Sequence, residues 1–275
     1  FSVKSESMTS DSPAVFGQQW NFRALITTQL LAIALLLSFL IPEGHALWRS
    51  LDAQVFYALN GTLADGGDWT RFWAWANVRS SDLITGIVLL ISLTFPGFGL
   101  QRNQLQPAFI GFVFLLLFVM FPIRYSLYKW ASAYGYSGPS PSMTLSPSNL
   151  FRELTPDIPA KDRSGRSFPG DHAAVLWCWV GVMAYHIRQR IMVLIPLTLA
   201  LLFMSPRLVG GAHWMTDVLV GGGSVALMTV SVALYTPLVN KATMVIWRGL
   251  KPVINLIGRI PGLSLLPFFR GHSRM

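Results

Sequence analysis

The stretch SPRLVGGAHWMTDVLVGG, residues 205–222, places three polar side chains between two apolar segments. His213 and Asp217 are four residues apart, so on a helix they lie one turn apart on the same face. The carboxylate can then accept a hydrogen bond from one ring nitrogen, which fixes the tautomer and leaves the other nitrogen free as a nucleophile. Arg207 can fold back across the Gly210–Gly211 pair and bind phosphate oxygens with its guanidinium. The stretch therefore predicts a phosphate-handling site at the start of an apolar helix.

A second polar stretch, SFPGDH at residues 167–172, opens another apolar run. We expect His172 and His213 to lie on the same side of a membrane, each at a helix N-terminus, where free N–H groups favour an anion. The upstream AKDRSGRSF adds Lys161, Arg163 and Arg166. These residues predict a site for a phosphorylated molecule whose apolar part stays in the bilayer, with His172 placed to protonate the leaving oxygen.

The composition indicates a membrane protein. Of 275 residues, 52% are hydrophobic and 12% are charged, and that charged share is about half of the usual value for soluble domains. We predict an all-α, multi-pass chain of about six spans. The expected spans are about Ala24 to Ile41, Leu83 to Leu100, Ala108 to Ile123, His172 to Tyr185, Ile191 to Ser205 and Trp214 to Tyr235. The fourth and fifth are short, which leaves a hairpin dipping into the membrane as the alternative.

The net charge of +9 is compatible with nucleic acid or with anionic lipid. The sequence contains no nucleic-acid motif, so we expect membrane lipids as partners and no nucleic acid. The HIRQR turn at residues 186–190 and the C-terminal tail are both basic. We therefore expect the side of the membrane on which they lie to be cytoplasmic. Both histidines then face the other side.

The predicted organisation has three parts. Residues 1–23 form an N-terminal segment, of which residues 1–7 are set aside as a candidate expression remnant. Residues 24–238 form a six-span catalytic membrane domain, and residues 239–275 form a basic amphipathic tail along the cytoplasmic interface. The long segments 42–82 and 124–171 are expected outside, the first with a surface helix and the second as extended loop.

The pattern R-x5-H-x3-D at Arg207, His213 and Asp217, with P-x-x-H ending at His172, resembles the type-2 phosphatidic acid phosphatase superfamily. The resemblance implies a six-helix core related to vanadium haloperoxidases, and neither metal nor cofactor. It also implies that His213 attacks phosphorus to give a phosphohistidine, Asp217 orients His213, His172 is the general acid and Arg207 binds phosphate.

The stretches SFPGDH, GAHWMTD and NVRSSD (residues 77–82) are similar to one branch of that superfamily. That branch moves phosphate from undecaprenyl diphosphate to the 1-phosphate of lipid A, in the inner membrane of Gram-negative bacteria. The resemblance thus implies a polyisoprenyl diphosphate donor, a lipid A acceptor and a site facing the periplasm.

The chain departs from the superfamily pattern in two places. Gly170 and Asp171 replace the usual Ser-Gly before the histidine, and we count Gly170 with Arg207, Lys161, Arg163 and Arg166 as the phosphate-binding set. The first superfamily motif, K-x6-R-P, is absent, because Lys129 is followed at that spacing by Tyr136-Ser137. We expect Asp171 to point away from phosphate, towards an arginine or a second substrate.

Several alternatives stay open. A hydrolase of lipid phosphates or diphosphates, such as undecaprenyl diphosphate, phosphatidylglycerophosphate or lipid A, would use the same residues with water as acceptor. A metal site could be built from His172, Asp171, His213 and Asp217, although the nearby cations oppose it. A lipid transporter would be expected to carry charges in mid-span rather than at helix ends.

Overall fold

The chain is helical throughout the part that the structure describes. The computed structural model describes residues 14–97 and 99–270, and within them it has no β-strand. The helices are α1 Phe22–Leu40, α2 Pro42–Asn60, α3 Gly67–Ala76, α4 Arg79–Ser92, α5 Leu105–Leu115, α6 Phe121–Ala133, α7 Pro141–Thr144, α8 Phe151–Leu154, α9 Asp171–His186, α10 Leu194–Val209, α11 Gly223–Tyr235, α12 Leu238–Ile257 and α13 Pro267–Arg270. The predicted all-α class is confirmed.

Two π-helical segments interrupt the regular hydrogen bonding. Leu116–Met120 joins α5 to α6, and Asp217–Gly222 leads directly into α11. Through the first segment the helix continues past Pro122, and α6 ends only at Ala133. The outer loop, predicted to begin at Arg124, is therefore shorter than predicted. The second contains Asp217, and π-helical segments are frequent at functional sites.

Four helical stretches are long and apolar enough to cross a membrane: Phe22–Leu40, Arg102–Ala133, Arg190–Val209 and Asp217–Tyr235. The other two expected spans correspond to α4 and α9, which have 14 and 16 residues. A helix rises about 1.5 Å per residue, so each falls short of a hydrocarbon core of about 30 Å. The chain is a multi-pass membrane protein, and the count of six spans stays a prediction.

The helices at the centre of the bundle approach each other closely. α1 packs along α11, α9 lies against both α10 and α11, and α12 packs against α5. A Cβ on Gly222 would come within 2.7 Å of the Cβ of Ala173, so glycine is required for this approach of α11 to α9. The starts of α9 and α11, which carry the predicted site, are therefore held side by side.

The structure adds detail to the predicted organisation. The segment 42–82 contains α2 and α3, and α2 buries Asp52, Phe56 and Asn60 rather than lying free on a surface. The tail begins with α12, whose Trp247 donates a hydrogen bond to Gln106 of α5 at 3.0 Å. Residues 1–13, with the candidate expression remnant, and residues 271–275 lie outside the described part. The three-part division stays a prediction.

Candidate active site

His213 and Asp217 form a buried pair. His213 lies in the turn before the helix that begins at Met215, so the prediction that it shares a helix face with Asp217 was wrong. His213 Nδ1 lies 3.2 Å from Asp217 Oδ2, and the same oxygen accepts the Trp214 N–H at 2.8 Å. Nε2 of His213 is buried and has no hydrogen-bond partner among the described residues. The ring lines a cavity of about 10 Å³ with Gly170, His172, Ala173, Met204, Arg207 and Val218. Nδ1 of His213 is thus held by the Asp217 carboxylate, and Nε2 has no hydrogen-bond partner within the described part of the chain. The ring shares its cavity with the Arg207 guanidinium.

Asp52 fixes the start of the helix that carries Asp217. Its two carboxylate oxygens accept the Thr216 N–H at 2.9 Å and the Thr216 hydroxyl at 2.7 Å. Burial raises the pKa of Asp52, and the hydrogen bonds from Thr216 oppose the rise. The sequence analysis missed Asp52, which lies on the buried face of α2 with Phe56 and Asn60.

His172 lies at the start of α9 between two carboxylates. Its Nδ1 is 2.9 Å from Asp171 Oδ1, and its Nε2 is 3.1 Å from Asp82 Oδ1. Asp171 therefore turns towards the His172 ring, and the expected arginine partner is not what the structure shows. Negative charge on both sides favours the protonated imidazolium, which is the form that a general acid requires.

Arg207 is buried in the last turn of α10, although the sequence analysis placed it just past that helix. Its Nη2 lies 2.6 Å from Oδ1 and 2.5 Å from Oδ2 of Asp82, and its Nη1 donates to Asn77 Oδ1 at 2.6 Å. Asn77 in turn donates to the Pro206 carbonyl at 2.7 Å. The guanidinium is thus fixed by α4 and the turn that precedes it.

Asp82 and Asn77 were missed as site residues. Both lie in the NVRSSD stretch, to which the sequence analysis gave no chemical role. The available signal was an acid one residue before an expected span, on the membrane side that carries both histidines.

Gly170 brings the start of α9 against Asp217. Its N–H donates to the Asp217 carbonyl at 3.0 Å, and a Cβ on Gly170 would lie 2.9 Å from that oxygen. This contact explains why glycine stands before Asp171. The structure gives Gly170 a packing role, and its phosphate-binding role stays a prediction.

The three predicted loop cations are divided between two places. Lys161 and Arg163 line a cavity of about 490 Å³ with Arg79, Val78, Ser80, Pro159 and Ala160. Burial and the positive charge of Arg207 lower the pKa of Lys161. Arg166 instead donates to the Tyr128 hydroxyl at 3.2 Å. The first two create a basic cavity beside the first turn of α4.

Among residues 14–97 and 99–270, the structure has no group of three or more His, Cys, Asp or Glu side chains arranged to hold a metal ion. The site has instead a buried arginine and two histidines, each ring beside at least one carboxylate.

The comparisons with known proteins define the class of the chain. Residues 131–244, which contain both histidine stretches, match the PAP2 superfamily. The chain is 31% identical over 225 residues to lipid A 1-diphosphate synthase from Escherichia coli (strain K12), which covers 80% of this chain and 91% of that relative. The chain belongs to the PAP2 superfamily, so the predicted resemblance is confirmed. It is an enzyme of the phosphatase or phosphotransferase type. No solved structure matches it significantly.

Proposed function

We propose that the enzyme moves a phosphate from undecaprenyl diphosphate, or a similar polyisoprenyl diphosphate, to the 1-phosphate of lipid A through a phosphohistidine. One observation carries the mechanism. The Nε2 of His213 is buried and unpaired, while Nδ1 lies 3.2 Å from Asp217. The likeness to lipid A 1-diphosphate synthase supports the choice of acceptor.

In the first step, His213 Nε2 attacks the terminal phosphorus of the donor. An N–P bond forms while the bond from phosphorus to the bridging oxygen breaks. His172 gives its proton to that oxygen, and polyisoprenyl monophosphate leaves. Asp217 stabilises the positive charge that develops on the His213 ring, and Arg207 stabilises the charge on the phosphoryl oxygens.

In the second step, an oxygen of the lipid A 1-phosphate attacks the phosphohistidine. The new P–O bond forms, the N–P bond breaks, and His172 takes the proton from the attacking phosphate oxygen, so both histidines return to their starting states. If water attacks instead, the same residues act as a phosphatase and release free phosphate. The steps need no metal or cofactor.

We further infer that segments 83–100 and 172–185 complete a six-span core, with the site on the periplasmic side of a bacterial inner membrane. The basic turn at residues 186–190 lies at the opposite end of α9 from His172, which agrees with a cytoplasmic position for the turn.

The test uses purified protein, donor labelled in its terminal phosphate, and lipid A present or absent, all in EDTA. Label should move to lipid A in the wild type and not in His213→Ala. His186→Ala, at the far end of α9, is the control and should retain transfer. Free phosphate released equally with or without lipid A would make the enzyme a phosphatase. Transfer that EDTA abolishes and zinc restores would establish metal catalysis instead.

A further inference from the structure

Two apolar clefts meet at α4. The first lies between α4, α6 and α9, measures about 350 Å³, and is lined by Gly86, Leu89, Met120, Phe121 and Val175, with His172 among its polar residues. The second lies between α3, α4 and α10, measures about 260 Å³, and is lined by Phe72, Ala76, Ile84, Leu202 and Pro206, with Arg207 among its polar residues. Each cleft is lined mainly by apolar residues and reaches the proposed site, the first at His172 and Asp171 and the second at Arg207, with Asp82 in both.

The two clefts share one wall, which consists of Asp82, Thr85 and Phe203. Their unshared walls lie on different faces of α4. Successive helical residues are about 100° apart, so Ile84 in the second cleft and Gly86 in the first point about 160° apart around the axis. A ligand in one cleft therefore leaves the other open.

Each cleft shares a lining residue with the small cavity of His213. The small cavity that His213 lines also includes His172, which lines the first cleft, and Arg207, which lines the second. A phosphoryl group on His213 would thus have a proton donor on one side and an anion-binding guanidinium on the other.

The first cleft continues into a further cavity. Gly86, Leu89 and Val175 also line a space of about 180 Å³ that extends along α4 and α5 between Leu90, Phe112, Val113, Leu116 and Leu117. Every residue of this extension is apolar, which suits a long hydrocarbon chain. The second cleft is bordered by the exposed side chains of Phe72, Ile84 and Leu202, which in a membrane face lipid.

We propose that the enzyme holds its two lipid substrates in separate clefts on either side of α4. The first, the donor cleft, takes the polyisoprenyl chain of the diphosphate, and the second, the acceptor cleft, takes an acyl chain of the lipid phosphate acceptor. This inference rests on the proposed function. In-line displacement places the leaving oxygen of the donor and the attacking oxygen of the acceptor at the same position, opposite His213 Nε2 and next to His172, so the two clefts separate the lipid chains and not the two oxygens. The wholly apolar extension of the first cleft suits the long polyisoprenyl chain, which assigns the donor there and leaves the second cleft to the acyl chain of the acceptor.

Three tryptophan variants on α4 test the assignment. Gly86→Trp fills the donor cleft, and a Cβ at Gly86 meets no atom within 4 Å, so the backbone tolerates a side chain. Ile84→Trp fills the mouth of the acceptor cleft from a position that is 57% exposed. Leu83→Trp, at 66% exposure and lining neither cleft, is the control for a new tryptophan on this helix.

Two rates are measured on each variant: release of polyisoprenyl monophosphate in a single turnover without acceptor, and transfer of label to lipid A. Gly86→Trp should lower both by about tenfold or more, whereas Ile84→Trp should lower the ratio of transfer to release by about tenfold. Leu83→Trp should leave that ratio and both rates near the wild type. The release step also reports whether Ile84→Trp and Leu83→Trp are folded, and a thermal unfolding curve serves this purpose for Gly86→Trp.

The outcomes separate the two proposals. If Ile84→Trp and Gly86→Trp lower both rates in parallel, or if neither changes them, the two-cleft assignment is overturned while the phosphohistidine mechanism stands. If the wild type releases monophosphate but transfers no label to lipid A, the proposed function fails instead. In that case an effect of Gly86→Trp on release still tests the donor cleft.

Discussion

Asp82 and Arg207 form a two-oxygen ion pair in which Nη2 of the arginine lies 2.6 and 2.5 Å from the two carboxylate oxygens. Asp82 Oδ1 is also 3.1 Å from His172 Nε2. The carboxylate thus uses the same two donors that a phosphate would need. Asp82 therefore competes with a phosphate for Arg207, and phosphate must displace it to reach the guanidinium.

The first prediction concerns that competition. Asp82→Asn keeps the shape of the side chain but removes its charge, so Arg207 and His172 become available to an anion. Inorganic phosphate should inhibit this variant at a concentration about ten times lower, since a hydrogen bond to a charged group contributes about 1.5–3 kcal/mol. Inhibition constants from the transfer assay measure the effect.

A matched control exists in Asp157. Its two oxygens accept from Arg71 at 3.2 and 2.7 Å, but this pair is on the surface and lines none of the site cavities described above. Asp157→Asn should leave the phosphate inhibition constant unchanged. Unchanged or weaker phosphate inhibition in Asp82→Asn would show that Asp82 does not compete with the anion.

The second prediction concerns Asp217. Asp217→Asn can donate an amide N–H to His213 Nδ1, which moves the ring proton to Nε2 and blocks the nucleophile. Turnover should fall by about 10⁴, as for the corresponding change in a serine protease triad. Single-turnover labelling of the protein, with a thermal unfolding curve to check the fold, is the measurement. A loss below about tenfold would indicate that Asp217 does not set the tautomer.

The sequence allowed the His213–Asp217 pair to be predicted because the contact is local. The prediction of one shared helix face was wrong, because His213 and Trp214 precede the helix that begins at Met215. Asp217 instead reaches back to the turn, where its Oδ2 lies 3.2 Å from His213 Nδ1 and accepts the Trp214 N–H at 2.8 Å. The starts of α1 and α9 were likewise predicted to within two residues, since apolar runs and their polar boundaries mark them.

The Asp82–Arg207 pair could not be predicted in this way. Its members are 125 positions apart, and their contact depends on how α4 packs beside α10. Asp52 is 164 positions from Thr216, which its carboxylate holds. Neither carboxylate has a local pattern that identifies its distant partner, so sequence reasoning found the nucleophile pair and missed both Asp52 and Asp82.

The third prediction is a pH dependence of acceptor binding. Burial and the charge of Arg207 lower the pKa of Lys161, so this cation is lost at a lower pH than an ordinary lysine. If the basic cavity holds an anionic group of the acceptor, KM for lipid A should rise on the alkaline side. Lys161→Arg should flatten that rise, because arginine keeps its charge.

Two further variants complete the Lys161 test. Lys161→Gln should raise KM at pH values where Lys161 is charged, and so remove the alkaline increase. Lys129→Gln, on α6 beside Tyr125, is the control and should retain the wild-type profile. A KM profile that Lys161→Arg does not alter would remove Lys161 from acceptor binding.

The last prediction compares two neighbouring glycines at the start of α11. A Cβ on Gly222 would lie 2.7 Å from Ala173 Cβ and 3.0 Å from the Ala174 nitrogen, so α9 and α11 must separate. A Cβ on Gly223 would meet Leu35 at 3.5 Å, an ordinary contact.

Gly222→Ala should lower the free energy of unfolding by about 1–3 kcal/mol, while Gly223→Ala should raise it by about 0.5–1 kcal/mol. Gly222→Ala should also reduce turnover, because His172 and Asp217 are on the two helices that separate. Thermal unfolding in detergent and the transfer assay measure both effects, and equal stabilities of the two variants would contradict the close approach of these helices.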